Sequence, residues 1–358
     1  MKIAIILGTR PEIIKMAPVI RELEQRKADY FILHTGQHYS YNLDRVFFEQ
    51  LELPQAKYNL EVGSGSHAEE TGKMLIGIED VLHREKPDAA LVQGDTNSVL
   101  AGALAAAKLR IMVGHVEAGL RSHDRTMPEE INRVLADHLS EQLYAPTPKA
   151  REILLGEGIP DERIFVTGNT IVDSVNQNLG LAGKKSNILT ELGLKPGGYF
   201  LVTLHRQENV DEKARFSAIL EGLRRLAGEF SAPVIYPVHP RSRKRLAEFG
   251  LTAEGIKLIE PVDFLSFLQL ESNARLILTD SGGVQEEACI LKVPCVTLRD
   301  NTERPETVEV GANMLAGASP EKMRECAGLM LARERRWENP FGDGKAGRRI
   351  IEILEATR

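Results

Sequence analysis

The chain is 358 residues long, enough for two domains that each bury a core of their own. Its 42% apolar and 27% charged residues are ordinary for a globular protein, and a formal net charge of −6 excludes a general attraction to nucleic acid or to an anionic membrane. A phosphate site in such a chain has to be a local cationic pocket within an acidic surface.

The chain opens on Ile3-Ala4-Ile5-Ile6-Leu7-Gly8-Thr9-Arg10-Pro11-Glu12-Ile13-Ile14-Lys15. The apolar run predicts a buried strand, Gly8 a turn, and Pro11 the start of a helix, where a missing N–H is not needed. A helix N-terminus attracts anions, and Arg10 and Lys15 strengthen that attraction. Thr9-Arg10-Pro11-Glu12 fills the slot of a Gly-x-Gly-x-x-Gly fingerprint, so the segment predicts phosphate handling without a dinucleotide cradle. The run ends too soon for a secretory signal, and no apolar stretch approaches a membrane span; the expected location is the cytoplasm.

Further strands are predicted near Tyr30–Thr35, Ala89–Gln93, Met112–Val116, Gln142–Tyr144 and Ile164–Val166, with helices such as Asn97–Leu109 and Pro128–Leu139 between them. This alternation predicts a parallel sheet covered on both faces. Polar, Gly- or Pro-bearing stretches at Leu181–Asn187 and Leu194–Gly198 suggest the interdomain connection. The pattern then restarts, with strands at Tyr199–Leu204, Val234–Pro237, Lys257–Ile259, Arg275–Thr279 and Cys295–Leu298 and helices such as Lys213–Glu229 and Pro320–Arg335. A helix over Gly347–Thr357 is expected to return to the first domain. The expected domains are therefore residues 1–180, joined by the segment 346–358, and residues 181–345.

Chemistry-bearing residues cluster where strands end. Gln93-Gly94-Asp95-Thr96 and His115-Val116-Glu117-Ala118-Gly119 place Asp95 and Glu117 at the ends of successive strands, where ligands bind in open α/β sheets, and Met127-Pro128-Glu129-Glu130 places Glu129 at the start of the following helix. Each also has a plain reading, as a helix cap or a first-turn acid. Grouped carboxylates raise one another's proton affinity and suit acid/base work. In the second half, His205 ends a strand, and Asp280-Ser281-Gly282-Gly283 enters a helix that carries Glu287. That turn offers unobstructed N–H groups to a diphosphate. Asp300-Asn301-Thr302-Glu303-Arg304 adds a cation. No metal site is expected: His34 and His38 straddle Gly36, and Cys289, Cys295 and Cys326 follow no zinc or disulfide spacing.

Taken together, GTRPEIIKMAPVI, TGQH, VQGDT, GHVEAGLRS, MPEEINR, TGNT, LHRQEN, TDSGGVQEE and RDNTERPE resemble the non-hydrolysing UDP-N-acetylglucosamine 2-epimerases, from Gly8 to about Glu306 and in the same order. The resemblance implies an α/β fold of two Rossmann-like, doubly wound domains facing across a cleft, similar to GT-B glycosyltransferases. It implies interconversion of UDP-GlcNAc and UDP-ManNAc by elimination of UDP, through 2-acetamidoglucal, and re-addition, with no redox cofactor. By motif, Asp95, Glu117 and Glu129 are then the acid/base candidates and His205 assists the departing diphosphate. Arg10, Lys15, His239, Ser281, Gly282, Gly283 and Arg304 line the substrate, and Glu287 holds the ribose. The partners implied are a UDP-sugar and a second copy of the chain, with neither nucleic acid nor membrane. Tyr39-Ser40-Tyr41-Asn42, Gly63–Lys73 and the loop Ser122–Met127 depart from bacterial members, so activation by a second UDP-GlcNAc is not implied. Alternatives left open are a 2-epimerase of a modified UDP-sugar such as a diacetamido-uronate, a GT-B glycosyltransferase, and a catalytically silent nucleotide-sugar binder.

Overall fold

The computed structural model describes residues 1–36 and 41–356, with side chains for all of these except 41–44. Gln37 and His38 of the TGQH motif, and the side chains of Tyr39–Asn42, fall outside the described residues.

Uninterrupted apolar runs form the central strands, because helices shield both faces of a parallel sheet. In the first sheet these are β1 (Lys2–Leu7), β2 (Asp29–His34), β3 (Tyr58–Asn59), β4 (Ala89–Gln93), β5 (Met112–Val116), β6 (Gln142–Ala145) and β7 (Ile164–Val166). They run parallel in the order β3-β2-β1-β4-β5-β6-β7. The second sheet holds β8 (Phe200–Thr203), β9 (Val234–Pro237), β10 (Ile256–Ile259), β11 (Leu276–Thr279), β12 (Cys295–Thr297) and β13 (Asn313–Leu315). Its order is β10-β9-β8-β11-β12-β13, again parallel. The fold is therefore α/β, with two doubly wound parallel sheets. The edge strands β3 and β13, two and three residues long, carry no periodicity to detect and are absent from the sequence reading.

The contacts divide the chain into two units, residues 1–177 with 341–358 and residues 178–340. The division falls inside the helix Thr170–Lys185. The stretch from Leu181, read as a break, is thus helical through Lys185: Gly183 meets nothing that would oppose a helix, and its neighbours are good helix formers.

In each sheet the chain reverses its direction of growth beside the first strand, between β1 and β4 and between β8 and β11. Ligands of open α/β sheets bind at such switch points, beyond the carboxyl ends of the strands. Beneath the first switch point, the helix Asn97–Lys108 approaches the sheet closely. A Cβ at Gly102 would stand 3.0 Å from Val92 and 3.1 Å from Ile6, which explains the run of small residues on its buried face. The helix Ala346–Ala356 packs on the helix Arg10–Arg26, where a Cβ at Gly347 would lie 2.9 Å from the Pro18 carbonyl carbon. Asp173 accepts the N–H groups of Ala346 (3.2 Å) and Gly347 (2.9 Å) at its start.

Among the described residues no helix is long and apolar enough to cross a membrane, and no group of three or more side chains could hold a metal ion. All three cysteines are buried and free.

Candidate active site

In the first unit the turn after β1 is shaped by crowding. A Cβ at Gly8 would lie 2.1 Å from both Ser98 Oγ and Thr35 Oγ1, hydroxyls that bond each other at 2.7 Å. Glu12, in the first turn of the helix Arg10–Arg26, folds back into this space and is almost wholly buried. It accepts the Gly8 N–H (3.0 Å) and, across the switch point, the Thr96 hydroxyl (2.9 Å). Burial pushes its pKa up to about 7, against the opposing pull of hydrogen bonds from Thr9, Gly8 and Thr96. The sequence reading passed over Glu12; an acidic residue in a first helical turn looks like an ordinary dipole partner.

Lys15, one turn further along that helix, places its ammonium 2.7 and 2.6 Å from the two carboxylate oxygens of Glu117. The Gln93 amide, at the end of β4, donates to the same carboxylate. Glu117 follows β5 with φ +69°, a left-handed backbone that a non-glycine residue adopts only when its surroundings enforce it. Its N–H and that of Ala118 both donate to the Tyr144 carbonyl on β6 (3.1 and 3.2 Å), which holds the turn in place.

Asp95 stands just beyond β4, after Gly94 at φ +86°. Arg133, on the helix Pro128–Leu139, grips one of its oxygens through two nitrogens at 2.9 and 2.6 Å, and neighbouring Asn132 donates to its carbonyl at 2.9 Å. Thr96, not Asp95, caps the following helix, accepting the Val99 N–H at 3.4 Å. The adjacent glutamates of the helix Pro128–Leu139 have opposite fates. Glu130 is buried and accepts from Ser122, His123 and Arg133; burial raises its pKa, but these bonds lower it by more. Glu129 is exposed and shares with Asp95 the wall of a cavity of about 460 Å³, together with His67, Glu70, Asn97 and Asn132. Glu117 is not part of that wall. The structure thus places Asp95 and Glu129 on the wall of one cavity and sets Glu117 at the neighbouring strand end, bonded to Lys15. Arg10 lays its guanidinium over the Phe47 ring, 5.7 Å from the centroid.

In the second unit Asp280, just beyond β11, is completely buried. It accepts the N–H groups of His205 (3.0 Å) and Arg206 (2.9 Å) and the Asn209 amide (3.1 Å), and its other oxygen lies 3.1 Å from His205 Nδ1. Burial alone would raise its pKa; His205, the Arg206 N–H and Asn209 more than reverse this and keep the carboxylate charged. His205 itself is partly exposed. The His239 ring lies 5.7 Å from the His205 ring, and its Nδ1 accepts the Arg241 N–H (3.2 Å) at the start of the helix Pro240–Phe249. Burial, then His205 and Arg241, lower the His239 pKa.

Ser281 is the residue before the helix Gly282–Ile290, and Gly282 and Gly283 are its first two positions. A Cβ at Gly283 would meet nothing nearer than 3.9 Å, so no packing against the protein demands glycine there. Arg304 pairs with the buried Glu286 on this helix at 2.7 Å. Glu287 is half-buried, and beside it Glu271 is wholly buried, its pKa raised by burial and then by the charge of Glu287. The roles of Asp280 and Glu271 were missed. The Asp before Ser-Gly-Gly was read as part of the turn, although an acid bracketed by a strand end and a glycine turn was the available signal.

The family model for UDP-N-acetylglucosamine 2-epimerase matches residues 21–355. The UDP-N-acetylglucosamine 2-epimerase of Methanocaldococcus jannaschii is 60% identical, covering 99% of each chain. The UDP-2,3-diacetamido-2,3-dideoxy-D-glucuronate 2-epimerase of Pseudomonas aeruginosa is 43% identical, again over 99% of each. A crystal structure of the M. jannaschii UDP-GlcNAc 2-epimerase in complex with UDP-GlcNAc and UDP superposes with a TM-score of 0.89 at 60% identity, covering 99% of this chain and all of that one. The chain belongs to the UDP-N-acetylglucosamine 2-epimerase family.

Proposed function

We propose that this protein interconverts UDP-GlcNAc and UDP-ManNAc by eliminating UDP and adding it back through 2-acetamidoglucal. The reading is supported by the relative bound to UDP-GlcNAc and UDP. It rests above all on one observation: Asp95 and Glu117, at neighbouring strand ends, are each held by a cation of their own.

The C2 hydrogen of the sugar has no adjacent carbonyl to acidify it. As the C1–O bond to UDP breaks, positive charge builds at C1 and acidifies the C2 proton. A carboxylate takes that proton, the bonding pair closes the C1–C2 double bond, and UDP carries away the electrons of the broken bond. Re-addition with a proton delivered to the opposite face of C2 gives the epimer. Two faces call for more than one acid/base group, which Asp95, Glu117 and Glu129 supply. The helix N-terminus at Ser281–Gly283, with His205, His239 and Arg304, holds the diphosphate, and stabilising its growing charge is the largest contribution. Arg10 and Lys15 are the further cations, and Glu287 takes the ribose hydroxyls.

Incubation with UDP-GlcNAc in deuterated water, without NAD or an acceptor, tests the reading. Deuterium at C2 of both epimers is expected; free UDP without exchange at C2 overturns it. The same assay with a UDP-diacetamido-uronate decides between this substrate and that of the P. aeruginosa relative.

A further inference from the structure

His115 lies within β5 and is 1% exposed. Its Nδ1 is 2.6 Å from Asp137 Oδ1, and its Nε2 is 2.8 Å from the Gly94 carbonyl oxygen. A carbonyl oxygen only accepts, and so does an ionised carboxylate. Asp137 is held in its ionised form: its second oxygen takes Arg121 Nη2 at 2.7 Å and the Gly119 N–H at 3.2 Å. Burial alone would raise the Asp137 pKa, but His115 and then Arg121 turn the shift downward. A neutral imidazole would therefore aim a lone pair at one of these two oxygens.

We propose that His115 is a buried imidazolium, and that this cation is a positioning residue tying the turn that carries Asp95 to the turn that carries Glu117. Gly94 immediately precedes Asp95, and the Gly119 N–H held by Asp137 lies two residues beyond Glu117. One chain of hydrogen bonds thus runs from the first turn, through His115 and Asp137, to the second. The charged groups around it balance. Asp137 faces His115 from the helix Pro128–Leu139, and Arg121 approaches from beyond the Glu117 turn. Arg121 is in turn held by both oxygens of Glu157 at 2.7 and 2.6 Å. The flanking strands place uncharged Val92 and Leu143 at the His115 register. Burial pushes the imidazolium toward losing its proton. The charge and hydrogen bond of Asp137 and the Gly94 carbonyl overcome this, with Arg121 opposing, and the net direction is upward. When pH rises through that raised value, Nε2 loses its proton and the bond to Gly94 is lost, which loosens Asp95.

The assignment of acid/base roles to Asp95 and Glu117 is that of the proposed function; the protonation state of His115 does not depend on it. The test is the ring-nitrogen NMR spectrum of ¹⁵N-histidine-labelled protein. At about pH 7.5, where an unperturbed imidazole is mostly neutral, a histidine with both nitrogens protonated is expected, and its signal is absent from His115→Gln. A neutral tautomer at His115 near pH 7.5 overturns the proposal. In the C2-exchange assay His115→Gln is expected to lose on the order of 100-fold in kcat and to lose the alkaline fall of the wild-type profile. A uniform loss with that fall unchanged reduces His115 to packing and refutes the positioning role. Should this variant not fold, Asp137→Asn gives the second readout: the imidazolium signature is expected to vanish at lower pH, and its persistence is a refutation. A wild-type protein with the imidazolium but without C2 exchange sinks the epimerase reading alone.

Discussion

The two sheets share one plan and use it in opposite ways. In each, the first strand lies at the switch point, and an acid bridges its end to the end of the neighbour added later. In the first unit that acid is Glu12, after β1, reaching across to Thr96 after β4. In the second it is Asp280, after β11, reaching back to His205 and Arg206 after β8. Both acids accept several hydrogen bonds, but burial still lifts the Glu12 pKa to about 7, whereas the bond and charge of His205 help to hold Asp280 ionised. On the proposed function, the first unit supplies the acid/base carboxyl groups and the second the donors that meet a diphosphate, with His205 beside the buried Asp280 carboxylate. Proton traffic suits the one, a diphosphate the other.

The sharpest way to break this contrast is Asp95→Asn. Loss of a general acid/base group is expected to cost about 10²–10⁴-fold in C2 exchange, while UDP affinity, measured by calorimetry, stays near that of the wild type. Undiminished exchange would remove Asp95 from the proton-moving set.

Glu12→Gln probes the first unit's bridge. A carboxyl that ionises near 7 folded, against 4.5 free, binds its proton more tightly in the fold. Its stabilising contribution is full below about 4.5 and is lost as pH rises through 7. The difference corresponds to about 3 kcal/mol. Urea unfolding across this range is expected to show the wild type losing stability relative to Glu12→Gln, whose amide can still accept from Gly8 and donate to Thr96 Oγ1. Parallel pH profiles for the two proteins would contradict this.

Asp280→Asn probes the second bridge and has the smallest expected effect. It removes acceptor capacity from a buried group and is expected to cost about 1–3 kcal/mol of stability. It is also expected to weaken UDP binding while saturating substrate still exchanges at C2. Loss of exchange with UDP affinity intact would reverse the roles assigned to the two units.

Much of this was legible because β4, β5 and β11 are largely apolar runs that stop at Gly94, Glu117 and Asp280, so strand ends could be read as site positions. Partnerships were not legible. Arg133 meets Asp95 across 38 positions and Asp137 meets His115 across 22, distances at which only the folded helix Pro128–Leu139 sets the geometry. His115 itself stands in an apolar run and reads as core. Glu129 and Glu130 are indistinguishable as first-turn acids, and the fold alone turns one outward and buries the other. The helix through Lys185 ran past the polar, glycine-bearing stretch that looked like a break, since one exposed glycine does not stop a helix otherwise supported by its neighbours.

The helix Ala346–Ala356 belongs to the first unit yet follows the second in sequence. During synthesis on the ribosome, the groove beside Pro18 and the acceptors of Asp173 must wait until every residue of the second unit has been translated. The earlier-made half is thus the later to be completed, and its maturation is timed by the elongation of the other.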